Sequence, residues 1–358
     1  MRNGKNGRII KMNYFLITLH GFLRIFTEKY NGRILYDFTR KKNIKKLKRK
    51  EWNTVLFDGG LEKNYFRLFG IPEKFFPGES FLRALVYDLK IEDDKTLFLI
   101  DFLTQDDGKI VETEVPLSVK EKQLLLYSIP QIPSFSFFTT EKDSFLLSEK
   151  KFPFFQIAFP LNLKGKLFKD FLPEKFPEIK NLVLSSIEVL ENHTVNKVRK
   201  DLGENIANLI WVWGMGGKKT IPVLKEIYQI NPYYLPISGF NGLPKFLGFQ
   251  IEENIRKTEE ESLWWIEIFS SEKESPQTLI QNFEYIDEIV GKIAETFENF
   301  KILILVDGYF SKNIEIKRMH ALYLCIDENF KSRKFKKGNL LFLSFLNRNG
   351  KDFYRDWK

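Results

Sequence analysis

The stretch Leu263-Trp264-Trp265-Ile266-Glu267-Ile268-Phe269 is apolar at successive positions instead of alternating, and Ile302-Leu303-Ile304-Leu305-Val306 repeats the pattern further along. Such runs suit strands covered on both faces, as in a parallel sheet packed between helices. Between them, Thr278–Phe297 carries Leu279, Ile280, Phe283, Ile286, Ile289, Val290 and Ile293 at three- and four-residue spacing, one buried stripe on a helix. Strand, helix, strand in that order is the unit of an α/β sheet. Tyr14–Leu19, Thr96–Phe102, Leu209–Trp213 and Ala321–Ile326 read as further strands, and Ile179–Asn192 and Thr220–Ile230 as further helices. The expected fold is α/β: a mostly parallel sheet flanked by helices. Trp264 and Trp265 are expected in its core; exposed, they would favour a protein partner.

The middle of the chain breaks this rhythm. Thr96–Glu114 reads as two strands about Asp106-Asp107-Gly108, a turn whose glycine can take positive φ. Residues 128–176 bring prolines and phenylalanines in short pieces without long helical periods. The composition favours a small α+β domain inserted into the larger one. The expected organisation is a disordered leader over 1–12, with Met12 an alternative start. A discontinuous core follows over 13–95 and 175–345, with the inserted domain at 96–174 and a tail at 346–358.

The chain has 358 residues, 43% hydrophobic and 29% charged, which fits a globular protein of two domains at roughly 150 residues each. Its one cysteine, Cys325, excludes a disulfide framework. Its three histidines, His20, His193 and His320, are few for a multi-metal hydrolase, whose ions draw on imidazoles as neutral donors. The formal charge of +9 is local, because the first fifty residues alone carry +13. Much of that lies in Arg40–Lys50 (RKKNIKKLKRK), which reads either as a solvated helix face or as a contact for nucleic acid or an anionic surface. No segment supplies the ~18–20 uncharged apolar residues of a membrane span. Asn13–Phe26 superficially resembles a signal peptide, but His20 and Arg24 interrupt it and no small-residue cleavage site follows. A buried first strand and a cytoplasmic protein are expected.

Three constellations are candidates for chemistry. Trp211–Gly217 (WVWGMGG) is a strand running into glycines, where Gly214 and Gly216 could open backbone N–H groups to a phosphate or simply make a tight turn. In Asn192–Arg199 (NHTVNKVR), His193, Asn196 and Arg199 could clamp an anion, or could cap a helix beside solvated charges. Asp307-Gly308 follows the apolar run Ile302–Val306, and the carboxyl end of a parallel strand is where α/β proteins place ligands.

Together these segments resemble one family, the archaeal-type cofactor-independent phosphoglycerate mutases of the alkaline phosphatase superfamily. The matching pieces run from about Phe69 to Ile326. They are Gly70-Ile71-Pro72-Glu73-Lys74 with Pro77-Gly78, Leu97–Val111 (LFLIDFLTQDDGKIV), Asn162–Lys166 (NLKGK), His193–Arg199 with Ala207–Gly216 (ANLIWVWGMG), Ile286–Ile293 (IDEIVGKI) and Ile302–Asp307 (ILILVD). The resemblance implies a phosphatase-like core with an inserted small domain and two divalent metals such as Mn or Zn. It also implies a serine that is transiently phosphorylated as phosphate moves between the 2- and 3-positions of glycerate.

This sequence departs from the family at the positions that carry the reaction. Where the family has Asp-Gly after the first strand, the pair is His20-Gly21. Leu56–Phe69 (LFDGGLEKNYFRLF), where the serine falls, holds no Ser or Thr. Ser270–Ser275 (SSEKES) replaces an Asp-x-x-x-His motif, and the last Asp-His pair has become Asp307-Gly308. The resemblance therefore implies a degenerate homologue with no catalytic residues and no metal cofactor, its vestigial metal-site positions being His20, Asp307 and Gly308. A phosphorylated ligand could still be held by His193, Asn196, Arg199, Gly214 and Gly216, and a protein partner could use the fold as a scaffold. The alternative is an enzyme with relocated residues, built on His20, Glu62 and Asp307.

Overall fold

The computed structural model describes residues 11–20, 52–57, 61–238, 242–269, 276–306 and 319–326, together with 342, 345 and 346. They form two compact units, one of residues 1–76 and 221–358, the other of Pro77–Thr220. The leader, the basic run 40–50 and the pair Asp307-Gly308 lie outside the described residues.

The first unit opens with β1 (Asn13–His20), β2 (Trp52–Phe57) and α1 (Leu61–Leu68). The chain then builds the second unit from α2 (Glu79–Val86), β3 (Thr96–Asp106), β4 (Lys109–Glu112), α3 (Val119–Ser128), β5 (Phe135–Thr139), β6 (Ser144–Ser148), α4 (Pro177–Leu190), α5 (Thr194–Asp201) and β7 (Leu209–Gly216). It returns as α6 (Leu224–Tyr228), β8 (Asn231–Ser238), α7 (Gly242–Phe246), β9 (Gln250–Ile251), β10 (Ser262–Phe269), α8 (Pro276–Thr296), β11 (Phe300–Val306) and β12 (Met319–Ile326).

The sheet of the first unit runs β2-β12-β11-β1-β10-β8-β9. Its five strands from β11 to β9 are parallel, and β12 is antiparallel to both β11 and β2. The successive apolar positions of the opening stretch are explained by its two covered faces. On one, Trp264, Ile266 and Ile268 join Phe15, Ile17, Leu19, Ile302, Ile304 and Val306 under the stripe Phe283, Ile286, Ile289, Val290 and Ile293 of α8. On the other, Trp265 is stacked by Tyr65 of α1 at 5.6 Å and meets Phe69 at 5.2 Å. Both tryptophans are fully buried, so they are core and offer no exposed docking surface. Each fully buried side chain of this kind contributes about 1.5–3 kcal/mol.

The second unit holds an antiparallel sheet, β4-β3-β6-β5, with β7 on the free edge of β3. The turn of the β3–β4 hairpin has Asp107 at φ 47° and Gly108 at φ 77°, two successive left-handed residues as a tight hairpin requires. Two boundaries differ from the sequence reading. Leu209–Trp213 was expected in the large sheet, but β7 pairs antiparallel with β3, Asp101 opposite Trp211 and Phe102 opposite Ile210. The second unit therefore begins at Pro77 and ends at Thr220, wider than 96–174, because an apolar run reports two covered faces and not which sheet it joins. The helix expected over Thr220–Ile230 shrinks to α6, since Pro222 disfavours helical geometry at the residue before it.

Candidate functional site

The carboxyl ends of β10, β1 and β11 stand side by side. His20 is in register with Phe269, and Leu19 with Val306, so the three strands end along one edge of the sheet. This edge is where the family resemblance places two metals. The matched positions supply one imidazole and one carboxylate, whereas two hard divalent ions need several oxygen and nitrogen donors each. The donor set does not fit a two-metal centre. Among the described residues no group of three or more His, Cys, Asp or Glu is placed to hold a metal ion. The stretch Leu56–Phe69, without Ser or Thr, supplies α1, where the resemblance would place the family's serine. Of His20 and Glu62 the structure describes only the backbone.

A polar pair near this edge was missed by the sequence reading. Glu267 of β10 is 1% exposed and accepts a hydrogen bond from the Tyr234 hydroxyl of β8, while Trp265 Nε1 donates to Thr18 Oγ1 at 2.9 Å. The available signal was a lone carboxylate within an otherwise apolar strand.

The His193 constellation is brought together, but not around an open space. His193 is the N-cap of α5, its Nδ1 accepting from the Val195 N–H at 3.2 Å, and burial holds its imidazole below the ordinary pKa. Asn196 donates through Nδ2 to the carbonyls of Leu190 (2.8 Å) and Ala207 (2.9 Å) and accepts from the Ala207 N–H (2.8 Å). Arg199, 4% exposed, donates from Nε to the Asn205 carbonyl (2.8 Å) and from Nη1 to Glu121 of α3 (2.9 Å), with Glu204 at 3.1 Å. Glu121 also closes the capping box of α3 with Ser118, and these hydrogen bonds outweigh burial to hold its carboxyl below the usual range. Of the two readings, anion clamp or helix cap, the N-cap His193 accords with the second, and the cluster is a bracket joining α5, α3 and the entry to β7.

The glycines are likewise committed. A Cβ on Gly214 would lie 2.9 Å from Leu99 Cδ1, and one on Gly216 would lie 2.6 Å from Ser80 Oγ and 2.9 Å from the Phe81 nitrogen. Gly216 admits the start of α2 against β7.

The polar centre of the second unit lies elsewhere, at half-buried Asp101 of β3. Its Oδ2 accepts from Trp213 Nε1 at 2.9 Å. Loss of surrounding water pushes its carboxyl up to about 6 despite the nearby Arg83 guanidinium. Arg83 packs over the Trp213 ring at 5.4 Å, and Phe159 meets that ring edge-on at 4.7 Å.

No family model matches the chain. Curated relatives are archaeal 2,3-bisphosphoglycerate-independent phosphoglycerate mutases. Mutase 2 of Methanocaldococcus jannaschii is 23% identical over 338 residues, 79% of this chain and 77% of the relative. The Methanosarcina barkeri enzyme is 25% identical over 173 residues, 44% of this chain and 42% of the relative. Mutase 2 of Methanothermobacter thermautotrophicus is 22% identical over 167 residues, 45% and 42%. The chain thus spans less than half the length of the latter two. A protein of known structure from Pyrococcus horikoshii superposes with a TM-score of 0.59 at 15% identity, covering 96% of this chain and 99% of that one. The parallel sheet between helices, with an antiparallel unit set between its α1 and α6, defines an α/β protein of two units. Within that class the chain is a distant, divergent homologue of the archaeal cofactor-independent phosphoglycerate mutases.

Proposed function

We propose that this chain is a non-catalytic descendant of the phosphoglycerate mutases, kept as a cytoplasmic scaffold for a protein partner. The observation that carries this reading is the stretch Leu56–Phe69 feeding α1, which holds no Ser or Thr. Loss of a covalent nucleophile alone costs on the order of 10⁶ in rate, and the strand-end donors are depleted as well. Sensing of a phosphorylated carboxylic acid is the weaker form of the same reading, because Asn196 and Arg199 spend their donors internally. The buried Glu267 is a feature that favours an enzyme with relocated residues. The test is a mutase and phosphatase assay with 3-phosphoglycerate and added Mn²⁺ or Zn²⁺, on protein of measured metal content. Turnover at the rate of an ordinary enzyme overturns the proposal. A rise in melting temperature with 3-phosphoglycerate but no turnover selects sensing over the scaffold.

A further inference from the structure

Two aspartates face each other one step beyond Ile100 and Ser144, the last paired residues of β3 and β6: Asp101 on β3 and Asp143 in the turn before β6. Like charges so placed repel unless one is protonated or a cation serves both. Arg83 of α2 is within electrostatic reach of both. Its hydrogen bonds nevertheless go from Nη1 to Asp143 (2.7 Å) and from Nη2 to Glu79 (2.8 Å). Tyr87, just past α2, also donates to Asp143 at 2.8 Å, whereas Asp101 receives only the Trp213 indole. From α3, buried Lys122 faces the same pair, but its ammonium donates to the carbonyls of Glu141 (3.1 Å) and Lys142 (3.0 Å). Local bonds also hold this turn: Thr140 N–H and Oγ1 donate to the Asp143 carbonyl (2.8 and 3.1 Å), and Asp143 N–H donates to Thr140 Oγ1 (3.0 Å).

We propose that a proton on Asp101 keeps Arg83 on Asp143, and that its loss lets Arg83 turn toward Asp101 and loosens the Thr140–Asp143 turn. The proton has somewhere to go and nothing replaces it locally: Asp101 releases it to solvent, and Arg83, which bridges Asp143 and Glu79, is the charge that can shift its partners to compensate, since Lys122 is pinned by two carbonyls. Burial pushes the Asp101 carboxyl up to about 6, so the clamp responds in mildly acidic to neutral solution.

Hydrogen–deuterium exchange of the full chain between pH 5 and 7.5, corrected for intrinsic rates, tests this. Protection of the peptide spanning 139–145 is expected to fall about tenfold over that range, the effect of roughly one pH unit beyond the midpoint. In Asp101→Asn, which keeps an acceptor for Trp213, protection should stay high at every pH, and in Asp143→Asn it should be low at every pH. A wild type without the fall, or an Asp101→Asn variant that retains it, overturns the proposal. Should the variants not fold, the indole N–H resonance of Trp213 in the wild type decides: a shift with a midpoint near 6 supports the clamp, and a flat trace from pH 4.5 to 8 sinks it.

Discussion

Asn196 and Ala207 are bonded in both directions, the amide of Asn196 donating to the Ala207 carbonyl at 2.9 Å and accepting from the Ala207 N–H at 2.8 Å. The side chain thereby imitates a strand neighbour and sets where β7 begins. Replacing it with alanine removes both bonds to Ala207 in the interior, while the Leu190 carbonyl keeps the His193 N–H at 3.2 Å. Asn196→Ala should lose about 3 kcal/mol, read as a shifted midpoint in urea unfolding. A loss within 0.5 kcal/mol would show that water takes over these groups.

Arg199→Lys should not rescue Arg199→Met. The guanidinium uses Nε for the Asn205 carbonyl and Nη1 for Glu121, two directions that one ammonium cannot serve. Both variants should fall by about 3 kcal/mol, the scale of breaking a buried ion pair. Equal stability of the lysine variant and the wild type would argue for a solvated arginine instead.

Asp101 and Glu121 should move stability with pH in opposite senses. The folded carboxyl of Asp101, at about 6, lies above its ordinary 3.8. Its contribution is therefore complete below pH 3.8 and is lost as pH rises through 6. Glu121 is held below its ordinary value, so its contribution is present above pH 4.5 and disappears on further acidification. Asp101→Asn should be more stable than the wild type at pH 8, by about 1–3 kcal/mol, and nearly equal to it at pH 4. Chemical denaturation at the two pH values checks this, and a constant difference would exclude Asp101 as the titrating group.

Gly78→Ala should be among the most damaging single-atom additions in the chain. At φ 95° a Cβ would stand 2.2 Å from the Met215 carbonyl oxygen and 2.3 Å from Gly216 Cα, both backbone atoms that cannot swing aside. A fall of about 3 kcal/mol or more is expected, seen as loss of the cooperative transition or a sharply lower Tm. Gly203→Ala, with open space around its Cβ at a similar positive φ, should cost only about 1 kcal/mol.

The large sheet was legible from sequence because burial on two faces writes itself as unbroken apolar runs, and the α8 stripe because its period is 3.6. The membership of β7 was not, since Leu209–Trp213 looks the same in either sheet and only pairing with β3 distinguishes them. The site residues divide similarly. His193, Asn196 and Arg199 were found as a cluster from spacing alone, but their donors point inward, and one-dimensional spacing does not encode direction. Asp101 passed unnoticed inside an apolar strand because its chemistry comes from Arg83, Trp213 and Asp143, all remote in sequence.

The second unit starts and finishes at one spot. The Gly217 N–H donates to the Pro77 carbonyl at 2.8 Å, and Gly78 and Gly216 lie backbone against backbone. A piece of chain whose ends meet can be spliced into a single loop of a host without stretching it. It can also be cut out and closed on itself. The 144 residues from Pro77 to Thr220 are in this sense a detachable cassette, able to have been gained, or to change its duties, while the sheet that carries it keeps its register.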